Sequence, residues 1–160
     1  MESSSGSRCG AIASHLSIIL VTAVQLVFFT FFHEYIAWYT REPDGGIARI
    51  SVLTDDYFTW LPIPTIASII VIVASIAMIV YDNYRFERAT QIMFNIIGIT
   101  VAGSLVAIFP FDFSVIPNAT AVDVVPTAVR AFFILLTVFY GVTALIIFVR
   151  LRRRTARQEP

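Results

Sequence analysis

Residues 61–81 read LPIPTIASIIVIVASIAMIVY, a run without a single charged side chain. A helix needs about 20 predominantly apolar residues to cross the hydrocarbon core of a bilayer, and this run supplies them. An amphipathic helix on a soluble bundle would carry a polar face, which this segment lacks. Three further tracts repeat the pattern. The first follows Arg8 and meets no charge before Glu34, the next lies between Arg88 and Asp112, and the last contains Arg130 near its start and ends at Arg150. The expected spans are 11–33, 61–81, 89–109 and 127–149, so the expected fold class is an all-α integral membrane protein, a four-transmembrane-helix bundle. Composition agrees: 58% of the 160 residues are hydrophobic, 14% are charged, and the mean hydropathy is +0.81. A soluble domain carries about 25% charged residues.

The first tract exceeds the roughly 7–15 apolar residues of a signal-peptide core, and His33-Glu34-Tyr35 is not a small-residue cleavage site. It reads as an uncleaved anchor. Residues 1–10 are rich in Ser and Gly and read as a disordered cytoplasmic lead, and residues 150–160 as a short basic cytoplasmic tail. The one cysteine, Cys9, excludes an intrachain disulfide. Its position beside the membrane would permit palmitoylation, against the simpler reading of a free thiol.

Orientation follows from the arginines, since the chain has no lysine and short Arg-rich segments stay cytoplasmic. With both termini inside, the inner segments hold eight arginines against four acids, and the outer segments hold Arg41, Arg49 and Arg130 against seven acids. The inner balance is +4 and the outer −4. The expected location is the cell membrane, multi-pass, with both termini cytoplasmic.

The first outer loop, about 34–60, is long enough for structure of its own. Pro43-Asp44-Gly45-Gly46 is a turn signal followed by partly alternating residues Ile47 to Val52, which predicts a short β-hairpin on the outer surface. Tyr35, Trp38 and Tyr39 precede it and Tyr57, Phe58 and Trp60 follow, an aromatic belt of the kind that sits at headgroup level. Asp82 to Arg88 is a short inner connection. Pro110 ends the third helix and Pro126 suits the first turn of the fourth. Between them lies a second outer loop that dips towards the interface and carries the formal glycosylation triplet Asn118-Ala119-Thr120.

Few residues can carry chemistry. His15 and His33 are the two histidines. Both lie on the first helix, about 27 Å apart at 1.5 Å per residue, so they cannot ligate one haem or metal. His33 and Glu34 mark where that helix meets water. Gln25 falls near mid-membrane, where an amide seeks another helix, with Ser104, Thr100, Ser75, Thr137 and Tyr140 as candidate partners. Arg130 is expected to snorkel outward to Asp112, Asp123 or Glu34; an anionic substrate at an outer vestibule is the alternative. Gln25, His33, Glu34, Arg130 and Asp112 are thus the candidate polar membrane or vestibule residues. Gly98 to Ala102 and Gly103 to Ala107 have the small-x-x-x-small spacing that lets helices approach closely, and Gly141 lies on the same device in the last span. These are the candidate packing residues.

No catalytic, metal or cofactor-binding residues are read from this pattern. The expected role is a non-enzymatic subunit, scaffold or assembly factor of a membrane complex. Its partners would be the lipid bilayer and either a second copy or another membrane protein, with no nucleic acid. The alternative is a small oligomeric transporter or channel, which ordinarily needs an ionisable group at mid-membrane; Gln25 is the nearest substitute.

Overall fold

The computed structural model describes residues 3–42, 44–81 and 83–155. It is mostly helical, with four helices long and apolar enough to cross a membrane and one two-stranded antiparallel sheet. Helix α1 (Ser3–Phe31) ends in a single 3-10 turn, His33–Tyr35. Strands β1 (Ala37–Arg41) and β2 (Ile47–Ser51) form the hairpin, with Trp38 opposite Ile50 and Tyr39 opposite Arg49. Helix α2 (Asp56–Trp60) runs almost without a break into α3 (Pro62–Val80), followed by α4 (Tyr84–Ile108) and α5 (Ala119–Thr155).

Local chemistry sets these boundaries. Gly45 takes a φ of 89° in the hairpin turn, where its lack of a Cβ removes the penalty of a left-handed residue. The Asp44 carboxylate accepts the Gly46 N–H at 3.2 Å. At the start of α4 the Asn83 side chain accepts the Arg85 N–H at 2.9 Å, satisfying one of the orphan donors of the first turn. At its end Phe109 is left-handed, φ 45°, although it is not glycine. Pro110 disfavours a right-handed α conformation in the residue before it, so the helix cannot continue through Phe109. The Phe109 N–H still closes the last turn on the Leu105 carbonyl at 3.1 Å.

Helix α4 packs most extensively on α5, α1 on α3, and α3 on α4, whereas α1 and α5 share no extensive packing. Along the outside of this series large apolar side chains stand bare: Leu20 is 66% exposed, Val73 61% and Leu135 69%. The buried core is small and sits at the hairpin end, where Tyr57, Trp60 and Leu105 are packed by Leu53, Val101, Phe111 and Phe133. There the two long connections are sewn together. Leu53 and Phe111 form an antiparallel bridge, Asp112 N–H donates to the Val52 carbonyl at 2.7 Å, and Thr54 N–H to the Pro110 carbonyl at 3.2 Å. Pro110 is fully buried beneath them.

Several helix ends differ from expectation. α1 begins at Ser3, inside the segment expected to be disordered, and α5 continues to Thr155, into the expected tail. Propagating an established helix fixes one residue per hydrogen bond, which is far less costly than nucleating one. α4 starts at Tyr84 and not near residue 89, so the inner connection is shorter than read from sequence. The largest difference is at α5, which begins at Ala119 and places Pro126 inside the helix. Asn118 explains the earlier start: its side-chain oxygen accepts the Thr120 and Ala121 N–H groups at 3.0 and 3.3 Å. Residues 119–125 therefore belong to the helix, and the second connection is confined to residues 109–118. At 37 residues α5 is about 55 Å long, well beyond the roughly 30 Å of a hydrocarbon core.

Candidate functional site

A cleft of about 270 Å³ lies at the hairpin end, lined from α1, α4 and α5. α1 contributes Gln25 and Phe29, α4 contributes Gly98 and Ala102, and α5 contributes Phe133 and Tyr140. Its roof is the region in which the two connections meet, through Leu53 and Phe111, with Tyr57 and Trp60 of α2 closing one side. No Asp, Glu, His, Lys or Arg lines it.

Two hydrogen bonds hold these walls in place. The Tyr57 hydroxyl donates to the Phe29 carbonyl at 2.6 Å, pinning α2 to the end of α1. The Trp60 indole N–H donates to Ser104 Oγ at 2.9 Å, and that hydroxyl donates onward to the Val101 carbonyl at 2.8 Å, pinning α2 to α4. Ring contacts fill the space between: Phe29 meets Trp60 edge-on at 5.8 Å, and Phe111 lies parallel to Phe133, 6.4 Å apart and 5° out of plane.

Gln25 is exposed and lines the cleft, but its expected partner Ser104 is occupied by Trp60. Thr100 and Thr137 are likewise turned back on their own helices, donating to the carbonyls of Ile96 and Phe133. Among the described residues neither the Gln25 amide nor the Tyr140 hydroxyl has a hydrogen-bond partner. Ser75 lies fully buried on α3 with its hydroxyl also unpaired.

Tyr140 reaches the cleft because Gly98 has no side chain. A Cβ built there would lie 2.8–2.9 Å from three carbons of the Tyr140 ring, closer than real Cβ contacts. Gly98 and Ala102, which is buried, thus form a packing seam against neighbouring helices. The other expected seam is not used within the chain: a Cβ on Gly103 or on Gly141 would meet nothing within 4 Å, and Ala107 is exposed.

The remaining candidate residues are dispersed. His33 stacks on Tyr57 at 5.1 Å and 23°, meets Phe58 edge-on at 5.5 Å, and its Nδ1 lies 3.2 Å from the Thr30 carbonyl oxygen. Glu34 turns away to pair with Arg49 at 3.2 Å, fastening the hairpin to the turn before it. Among the described residues Arg130 pairs with none of the three carboxylates expected for it, Asp112, Asp123 or Glu34. Its guanidinium lies over the Phe109 ring at 4.3 Å, a cation–π contact with the left-handed residue. Glu34 is taken by Arg49, and Asp112 accepts the Ser114 N–H at 2.9 Å. Hydrogen bonds from the Ser114 hydroxyl and then from its N–H hold the Asp112 carboxyl below the usual value. Among the described residues no three His, Cys, Asp or Glu side chains come together.

Sequence reasoning missed Tyr57, Trp60 and Gly98 as the residues that build the cleft. An aromatic belt was the reading for the first two. Their burial, against the exposure of Phe58, Tyr35 and Tyr39, separates the structural aromatics from those at the surface.

The hairpin itself is uncovered. Val52 N–H bonds Ile36 and Glu42 N–H bonds Gly46, so by the alternation of an antiparallel ladder the backbone groups of Ala37, Tyr39 and Arg41 point away from β2. No other element of the described chain pairs with that edge. Trp38 and Ile50, cross-strand neighbours on one face, are also exposed.

No protein-family model matches the chain, and no curated protein or solved structure is significantly similar to it.

Proposed function

We propose that this chain is a non-enzymatic subunit, scaffold or assembly factor of a membrane complex, inserted in the cell membrane as a four-helix bundle. Both termini lie in the cytoplasm and the hairpin faces outward. Arg85 and Arg88 at the start of α4 and Arg150, Arg152 and Arg153 at the end of α5 support that orientation, because cytoplasmic segments gather Lys and Arg. The observation that carries the role is the open edge of β1. Unpaired strand edges template the addition of another strand, and proteins ordinarily cover or charge them. Two strands alone are marginal in water, and a third strand with an apolar face is the usual remedy. The Trp38–Ile50 face supplies the apolar surface, and a strand from the outer domain of a second membrane protein would complete the sheet.

Substituting Tyr39 by proline tests this reading. It removes one outward N–H while leaving the β1–β2 ladder intact, because Tyr39 does not donate to β2. The tagged chain is purified from its own membranes in mild detergent and weighed by native mass spectrometry. A stoichiometric protein partner retained by wild type and lost from Tyr39→Pro is the expected result. A wild-type chain that emerges alone, or a partner held equally by Tyr39→Pro, contradicts it.

A second reading, a small transporter working as an oligomer, is favoured by the unpaired Gln25 amide in the cleft. Ion or small-cation flux in proteoliposomes, abolished by Gln25→Leu, would replace the subunit reading with this one.

A further inference from the structure

We infer that the cleft between α1, α4 and α5 binds the head of a neutral, carbonyl-bearing, lipid-soluble ring compound of the quinone class. Four features of the cleft bear on its occupant. Its volume of about 270 Å³ is near the lower end of small-molecule pockets, roughly 300–1,000 Å³, so it holds a ring head and leaves an apolar tail outside. The absence of charge from the lining selects against ionic heads, which would give up their hydration without a counter-charge. Phe29, Trp60, Phe111 and Phe133 supply aromatic walls, and the parallel Phe111–Phe133 pair shows that flat rings stack in this part of the fold.

The fourth feature is the pair of unpartnered polar groups. Exposed Gln25 and half-buried Tyr140 both line the cleft, and the amide of one and the hydroxyl of the other are able to donate. Gln25 lies about 9 Å along α1 from its end at Phe31, by 1.5 Å per residue, so within a bilayer it is below the headgroups. An amide there without a partner is costly. An acyl chain would fill the volume and leave that cost unrelieved, whereas a carbonyl accepts from either donor. Because α1 and α5 share no extensive packing, a molecule dissolved in the membrane has a lateral way in between them. This inference is independent of the strand-edge reading of the hairpin.

The test uses Trp60, which lines the cleft. The chain has two tryptophans, so Trp38→Phe leaves Trp60 as the sole indole. In lipid nanodiscs the full-length Trp38→Phe chain is titrated with decylubiquinone, and indole quenching is followed. Saturable quenching is expected, with a half-saturation concentration raised about three- to tenfold by Gln25→Leu, the loss of one hydrogen bond. Tyr140→Phe keeps the ring on Gly98 and so preserves packing, and is expected to raise it by a similar factor. Quenching that stays linear in probe, as simple partitioning gives, would overturn the inference. So would saturation unchanged in both variants, which would mean that an acyl-like occupant needs neither donor.

Discussion

Replacing Gly98 by alanine is the sharpest test of how α4 and α5 pack. The new methyl would sit 2.8–2.9 Å from three carbons of the Tyr140 ring, against the roughly 3.5–4.0 Å of an unstrained carbon contact. The two helices must part, or the ring must tilt, by about 0.6–1.2 Å to restore that spacing. Overpacking of this kind costs about 1–3 kcal/mol. In water part of this would be offset, since alanine is a better helix former than glycine by about 1 kcal/mol. A membrane-unfolded state keeps its helices, because backbone groups in hydrocarbon must be satisfied internally, so little of that offset is expected. The control is Gly103→Ala, on the same helix, where the added Cβ meets nothing within 4 Å. Reversible unfolding in mixed detergent micelles, followed by circular dichroism, measures both. Gly98→Ala should lose about 1–3 kcal/mol and Gly103→Ala should lie within about 0.5 kcal/mol of wild type. The loss should shrink when Tyr140→Leu is added, because the clash partner is gone. Equal stability of the two alanine variants, or a cost unchanged by Tyr140→Leu, would refute the seam.

Other perturbations have equally definite outcomes. Ser104→Ala strands the Trp60 indole N–H and should cost about 1–3 kcal/mol in the same unfolding assay; the further change Trp60→Phe should then add less than it does in the wild-type background. Arg130→Leu removes an exposed cation–π contact with Phe109 and no carboxylate pair, so a loss of about 0.5–1 kcal/mol is expected; a loss of about 3–5 kcal/mol, the signature of a broken buried ion pair, would mean a carboxylate had been overlooked. Asp112 titrates below the usual carboxylate value when folded because Ser114 donates to its ionised form. Its stabilisation is therefore fully present above the ordinary value, about pH 4, and is lost as pH falls through the lowered one. Thermal melts of wild type and Asp112→Asn should differ at pH 6 and converge on acidification; a gap that widens instead would reverse the sign of the shift.

What the chain is made of was plain in its sequence, and how its parts face one another was not. Long uncharged runs locate four helices because a bilayer-spanning helix needs length and apolarity and little else. The same property hides their packing: a helix apolar on every side carries no stripe to say which face is inward. Gln25 is legible as a mid-span polar residue of α1, yet its partner is not, because Ser104 is claimed by a tryptophan forty-four positions earlier. Gly98 and Gly103 read alike as small residues, and only the position of Tyr140 separates the packed one from the bare one. The hairpin was legible from Asp44-Gly45-Gly46, since turn chemistry is local. The bridge from Leu53 to Phe111 was not, because it joins two connections that sequence separates by the whole of α3 and α4. The start of α5 was misplaced for a local reason: Pro126 is a familiar first-turn residue, while the cap at Asn118 was read only as a glycosylation triplet.

The proposed partner rests on the proposed orientation, with the hairpin outside the membrane and both termini inside. In a Cys9→Ser background, single cysteines at Asp44 and at Arg152 are exposed to a membrane-impermeant maleimide on intact cells. The account predicts that Asp44→Cys is labelled from outside and Arg152→Cys only after permeabilisation. Labelling of Arg152→Cys in intact cells, with Asp44→Cys protected, would contradict it.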